Sequence, residues 1–246
     1  MIDKLLNLAH ALGTEPDLAI LAEGNVSVKN GDVITIKSSG TNLKNLSVEH
    51  LTDCCMKKLN FIIDNEIDCG ILQNQISDSK IDASHKKPSM EILFHAWLQR
   101  QDGVKYIAHC HPTVTMQILC TPHAETFANK RLFPDQVIYC GKRSCIVPYA
   151  EPGLPLLKQI RKSVTEFFQK ENVFPSLILL KNHGIISIGT TDEEVLSSVL
   201  MCEKAAKIFT GAQSIGKVDF LSQDDVNNLL ESEDEKYRLK IIKDFG

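Results

Sequence analysis

The chain has 246 residues, 43% hydrophobic and 24% charged, with a formal net charge of −4. That length buries a substantial core, and the acidic balance gives no electrostatic support for a nucleic-acid partner. No apolar run approaches the roughly 20 residues of a membrane span.

The first stretch, MIDKLLNLAHALGT, lacks the basic start and small-residue cleavage site of a signal peptide, so none is expected. Eight cysteines form no C-x-x-C pair, and several sit in apolar runs. The spacing suits neither a disulfide framework nor a zinc ribbon; reduced, buried thiols in a cytoplasmic protein are expected.

Ile2, Leu5, Leu6, Leu8, Ala9 and Leu12 recur at helical spacing, with Gly13 as the stop. Asn30-Gly31 between the alternating runs Val26–Lys29 and Val33–Lys37 predicts a hairpin. Its two flanks, Gly24-Asn25 and Ser38-Ser39-Gly40-Thr41, lie at the end opposite the turn. They are read either as a cradle for a phosphate or sugar hydroxyls, or as ordinary turn chemistry. Ser47 is expected to cap a short helix, and Met56 to Ile63 to form a strand. Gly70 to Lys87 is polar with little periodicity and is expected to be a loop; residues 64–87 receive no functional reading.

Pro88 to Gln101 reads as a helix, with Met90, Leu93, Phe94, Trp97 and Leu98 as its apolar stripe. Glu91 in its first turn suits the helix dipole, and His95 is expected on a helix face. Val104, Tyr106, Ile107 and Ala108 read as a buried strand ending in His109-Cys110-His111. Alternation places His109 and His111 on one face, with Cys110 on the other. Pro112 stops pairing and opens a helix to about Cys120. Neutral imidazoles are common zinc ligands, so the pair is half a metal site or, alternatively, a polar strand end.

Thr121 to Pro134 is expected to be irregular, and Gln136–Cys140 and Ser144–Val147 to be short strands. A long helix runs from about Leu156 to Gln169. Leu177–Leu180 and Ile185–Ile188 are strands separated by Asn182-His183-Gly184. His183 is the candidate third ligand, since a polar side chain at a buried strand end needs a partner; a hydrogen bond within the turn is the other reading. Gly184 allows a close approach or an unusual backbone. Thr191 or Asp192 caps a helix to about Thr210, and Ser222–Lys243 holds one or two short helices. A catalytic zinc site also needs a proton-moving group, for which Glu91 is best placed by chain order. The order of elements predicts a single α/β domain over residues 1–246. Its expected form is three-layer α/β/α, with a mixed, mostly antiparallel sheet covered by helices on both faces.

Gly24-Asn25-Val26-Ser27, Ser38-Ser39-Gly40, Pro88-Ser89-Met90-Glu91, His109-Cys110-His111-Pro112 and Asn182-His183-Gly184 stand in the order seen in the class II aldolase/adducin family. The chain resembles that family from about Ala22 to Ile188, and more weakly through Leu221–Asp225. The resemblance implies a homotetramer with a zinc ion held by His109, His111 and His183, and Glu91 as acid/base. It further implies that Asn25, Ser39, Gly40 and Ser89 hold a substrate phosphate, with Tyr237 as a possible C-terminal catalytic tyrosine. The implied reaction is retro-aldol cleavage of a phosphorylated keto-sugar through a metal-stabilised enediolate. A 4-epimerase, decarboxylase or dehydratase of a sugar or sugar-acid phosphate fits the same site. A non-enzymatic, adducin-like role fits less well, because adducin heads lack the three histidines. Met90 departs from the fuculose-type pattern, which has a second serine there. Phe133–Tyr139 and Glu151–Pro155 are similar to the aldolase modules of longer rhamnulose-phosphate aldolase/dehydrogenase proteins.

Overall fold

The computed structural model describes residues 1–65, 67, 69–235 and 237. Seven strands form one sheet: β1 (Asn25–Asn30), β2 (Val33–Lys37), β3 (Leu51–Cys55), β4 (Tyr106–Cys110), β5 (Cys145–Val147), β6 (Leu177–Leu180) and β7 (Gly184–Gly189). Their order is β3-β2-β1-β4-β7-β6-β5. Every pairing is antiparallel except that of β5 with β6. A parallel pair needs a crossover, and here helix α8 (Leu154–Glu171) supplies it.

Alternation along the strands sorts the core into two layers. Val26 and Val28 of β1, Tyr106, Ala108 and Cys110 of β4, and Leu177 and Leu179 of β6 face one layer. There they meet α1 (Ile2–Thr14), α5 (Thr113–Leu119), α6 (Ala124–Asn129), α7 (Pro134–Cys140) and α9 (Asp192–Ile215). Ile34 and Ile36 of β2, Ile107 of β4, and Ile186 and Ile188 of β7 face the other layer. That face is covered by α2 (Met56–Asp64), α3 (Cys69–Asp78), α4 (Ile92–Leu98) and α8. Leu5, Leu8 and Leu12 of α1 are all but fully buried, each contributing about 1.5–3 kcal/mol by leaving water. The three-layer, mostly antiparallel architecture is the expected one. No helix among the described residues is long and apolar enough to cross a membrane.

Several local expectations fail for identifiable reasons. Met56–Ile63 is a helix, because Met56, Leu59, Ile62 and Ile63 are buried at helical spacing. Gln136–Cys140 lies in α7, which Pro134 opens at a position where its missing N–H costs nothing. Part of the expected 70–87 loop is α3, and α6 occupies part of the expected irregular stretch 121–134. Helix α4 starts at Ile92, four residues later than expected, because Pro88 is held in a β-bridge with Ser38. Thr191, rather than Asp192, caps α9 in a reciprocal capping box with Glu194. Ser222 does the same with Asp225 for α10 (Gln223–Glu231). The end of the expected Ser222–Lys243 helical segment, with residue 236, lies outside the described residues.

Candidate metal centre

Pairing of β1 with β4 sets Asn25 opposite His109, and pairing of β4 with β7 sets His109 opposite Ile186. His109 therefore points into the layer that holds α4. His111 follows one residue beyond β4, and its backbone N–H donates to Leu18 O at 3.1 Å. His183 sits in the turn between β6 and β7, after Asn182, which adopts a left-handed φ of 56°. Ligand nitrogens of His109, His111 and His183 all lie within 4.8 Å of one another. Nε2 of His111 and Nε2 of His109 are 3.1 Å apart.

Gly184 makes this convergence possible by close approach. A Cβ there would lie 2.6 Å from Cys110 O, 2.6 Å from His111 Cδ2 and 3.1 Å from His109 Cε1. Of the two roles open to this glycine in the sequence, the structure uses the approach.

His109 Nδ1 donates to Ile185 O at 2.8 Å, so in the neutral ring Nε2 is the nitrogen left free to bind an ion. Glu91 stands across the cluster, with Oε1 3.3 Å from His109 Nε2 and 3.9 Å from His183 Nε2. Burial opposes ionisation of Glu91. The charge of His109 beside it, the hydrogen bond they share, His95 and the Asn25 amide outweigh that, and hold the carboxyl well below the usual carboxylate range. Conversely, burial works against the His109 cation, but Glu91 raises its pKa above the ordinary value. Burial and the neighbouring imidazoles push His183 down to about 4. His111 is also lowered, chiefly by burial. Two neutral imidazoles, and a third whose tautomer a carbonyl fixes and which pairs with a carboxylate, form a donor set that could hold a divalent metal ion.

The expected phosphate ligands converge on the same region. Asn25 is 1% exposed, and its Nδ2 donates to Glu91 Oε2 at 3.3 Å. Ser89 Oγ accepts the Glu91 N–H at 3.3 Å. The Ser38–Pro88 bridge, with Ser39 N–H donating to Lys87 O at 2.9 Å, brings Ser39 and Gly40 alongside. Both are exposed, and Gly40 takes a φ of 78°. Met90 lies against Gly153, and Gln73 of α3 donates to its sulfur at 3.6 Å. Tyr237 stands apart: it is 66% exposed, and no contact joins it to the histidines among the described residues.

Three residues had no functional reading in the sequence. Lys37 is buried at the end of β2, and its Nζ donates to Ala22 O at 3.2 Å and Thr41 O at 2.6 Å. Burial lowers its pKa while Glu91 opposes the shift, and its bond to Thr41 O sets the amino group beside the Ser39-Gly40 loop. His95 lies on a face of α4, as expected, and that face is fully buried. Its Nδ1 lies 2.7 Å from Ser27 Oγ, and burial pushes its pKa down to about 3. Ser27 Oγ also accepts from Gln99 Nε2 at 3.2 Å. The third is Glu23, whose Oε1 lies 3.6 Å from His111 Nδ1. A lysine ending a strand and a glutamate preceding Gly-Asn are signals only once the pairing of β1, β2 and β4 is known.

Comparison with known proteins gives a consistent result. The family model described as "Class II Aldolase and Adducin N-terminal domain" matches residues 3–210. An uncharacterised oxidoreductase of Bacillus subtilis, YuxG, is 25% identical over 202 residues. The match covers 78% of this chain and 27% of YuxG, so the chain spans about a quarter of that relative. A 3-oxo-tetronate 4-phosphate decarboxylase of Haemophilus influenzae is 26% identical over 209 residues, covering 84% of this chain and 85% of the relative. The solved N-terminal class II aldolase domain of a conserved Thermoplasma acidophilum protein superposes with a TM-score of 0.68 at 23% identity. It covers 85% of this chain and 93% of that one, a likeness of fold.

Proposed function

The chain belongs to the class II aldolase and adducin family, and from that premise we propose that it is a zinc-dependent carbon–carbon lyase cleaving a phosphorylated keto-sugar. The observation that carries this reading is the convergence of the His109, His111 and His183 ligand nitrogens within 4.8 Å, beside the Glu91 carboxylate. His109, His111 and His183 would hold the ion. When bound, it would supply Lewis-acid stabilisation of the negative charge that retro-aldol cleavage leaves on the substrate.

Glu91, held ionised, is set to take the hydroxyl proton of the departing aldehyde and to return a proton to the carbon left behind. Asn25 orients Glu91 through its amide. The Ser39 and Ser89 hydroxyls and the backbone at Gly40 would hold the phosphate, with the buried Lys37 amino group beside the Ser39-Gly40 loop. The reading includes a cytoplasmic homotetramer, in which Tyr237 takes part only if assembly brings it to a site.

The match to a 3-oxo-tetronate 4-phosphate decarboxylase over 85% of that protein favours a second reading, decarboxylation of a 3-oxo sugar-acid phosphate. Both reactions leave an electron pair on the carbon beside a carbonyl, so the same residues serve either.

The test begins with metal content by mass spectrometry for the wild type and His183→Ala. About one zinc per chain, lost in the variant, supports the site. Ketose phosphates are then screened by trapping released aldehyde, and 3-oxo sugar-acid phosphates by carbon dioxide release. Aldehyde supports the first reading and carbon dioxide the second. A wild type that takes up no metal when zinc is supplied overturns both.

A further inference from the structure

An imidazole that binds a metal through one nitrogen needs its ring held by the other. His109 meets that need twice over: its side chain is 1% exposed, and its Nδ1 donates to Ile185 O. His111 lies beyond the end of β4 with 25% of its side chain exposed, so burial alone does not set its ring. What faces its Nδ1 is Oε1 of Glu23, at 3.6 Å.

Glu23 is itself delivered there by a built turn. Its Oε2 accepts the Ile20 N–H at 3.2 Å, and its own N–H donates to Ile20 O at 3.0 Å. Leu21, inside that turn, takes a left-handed φ of 53° while 81% exposed. A leucine in that region is strained, and strain of this kind persists where surrounding structure imposes it. Gly24 follows with a φ of 72°, and a Cβ there would meet Leu43 Cδ1 at 2.8 Å and His109 O at 2.9 Å. The turn is thus pressed against the end of β4, and Glu23 is the side chain it presents to the ligand strand.

We propose that Glu23 is the positioning residue for His111: its carboxylate accepts the Nδ1 proton, so that Nε2 is the bare nitrogen turned toward the ion. The proposal deepens the metal-centre reading and rests on it. His109 takes its orienting bond from a backbone carbonyl that no side-chain substitution removes, whereas His111 takes it from a residue that can be changed. The two strand-end ligands therefore respond differently to mutation around them.

The test is zinc affinity of the full chain, measured by competition with a chromogenic chelator, for wild type, Glu23→Gln and Glu23→Ala. Gln keeps an oxygen to accept the Ile20 N–H but loses the anionic acceptor. It therefore separates a role in the turn from a role toward His111. Both variants are expected to bind zinc roughly 10–100-fold more weakly than wild type, with the apo melting temperature of Glu23→Gln unchanged. The visible absorption of the cobalt(II)-loaded protein is expected to shift in both. Zinc affinity and a cobalt spectrum in Glu23→Gln equal to wild type overturn the proposal. A wild type that binds neither metal overturns the metal-centre reading, and this proposal with it; the wild-type titration alone distinguishes that case.

Discussion

Gly184 and the His111 imidazole are separated by a gap that no side chain can enter: a Cβ on residue 184 would lie 2.6 Å from His111 Cδ2. The same atom would meet Cys110 O at 2.6 Å, and that neighbour is backbone. Gly184→Ala therefore must push β7 away from β4 or turn the imidazole. The expected outcome is a folded protein whose zinc affinity falls by at least tenfold, read by chelator competition. Wild-type affinity in Gly184→Ala would show that the strands part without disturbing the ligands.

Metal binding should depend on pH in a stated direction. His183, lowered to about 4, and His111, also lowered, are neutral near pH 7. His109 is raised by Glu91, so the proton it carries in the metal-free protein must leave when the ion enters. Affinity should rise with pH through the raised His109 pKa and level off above it. Calorimetric titrations in buffers of differing ionisation enthalpy should show proton release below the raised His109 pKa that shrinks as the pH passes above it. Release independent of pH would remove Glu91's hold on His109 from the picture.

Zinc should also stabilise the fold through the same ligands. A ligand at 100 times its dissociation constant adds about 2.7 kcal/mol to the stability of a protein it binds only when folded. Wild type is expected to melt several degrees higher with excess zinc than with chelator present. His183→Ala, which removes a mostly buried turn side chain, should melt the same in both conditions. An equal zinc-induced rise in the variant would place the ion elsewhere.

Glu203 of α9 anchors the segment that follows the ligand strand. Its carboxylate accepts Val114 N–H at 3.1 Å, Thr115 N–H at 2.9 Å and the Thr115 hydroxyl at 2.8 Å, while 4% exposed. It caps the first turn of α5, two residues after Pro112. Glu203→Ala strands those buried donors and should cost about 3 kcal/mol in urea unfolding. A loss under 1 kcal/mol would mean that water replaces the carboxylate.

The core of the site was legible because it lies on elements whose period is unambiguous. The Val104–His111 run reads as a buried strand, and the hairpin carries Asn-Gly at its turn. Asn182-His183-Gly184 breaks two apolar strands, and those facts mark the three histidines as candidates, while the resemblance to the family joins them as one ligand set; the structure brings their nitrogens within 4.8 Å. What stayed hidden depends on partners remote in sequence. Glu23 gains meaning from His111, and Lys37 from Ala22 and Thr41. His95 gains it from Ser27, 68 residues away. Met56–Ile63 differs from expectation because a short apolar segment suits a strand or a helix equally. Gln136–Cys140 differs in the same way, although Pro134 marked a helix start.

The pairing of β4 with β7 has a kinetic consequence. His109 and the Ile185 carbonyl that fixes its tautomer are 76 residues apart in sequence. Closing so long a loop is slow to be rewarded, since its entropy is lost before the distant strands gain contact. The central sheet therefore has to be zipped before three imidazoles can share one ion. An ion held by all three imidazoles therefore locks the finished sheet, since the set is complete only once β4 and β7 have paired.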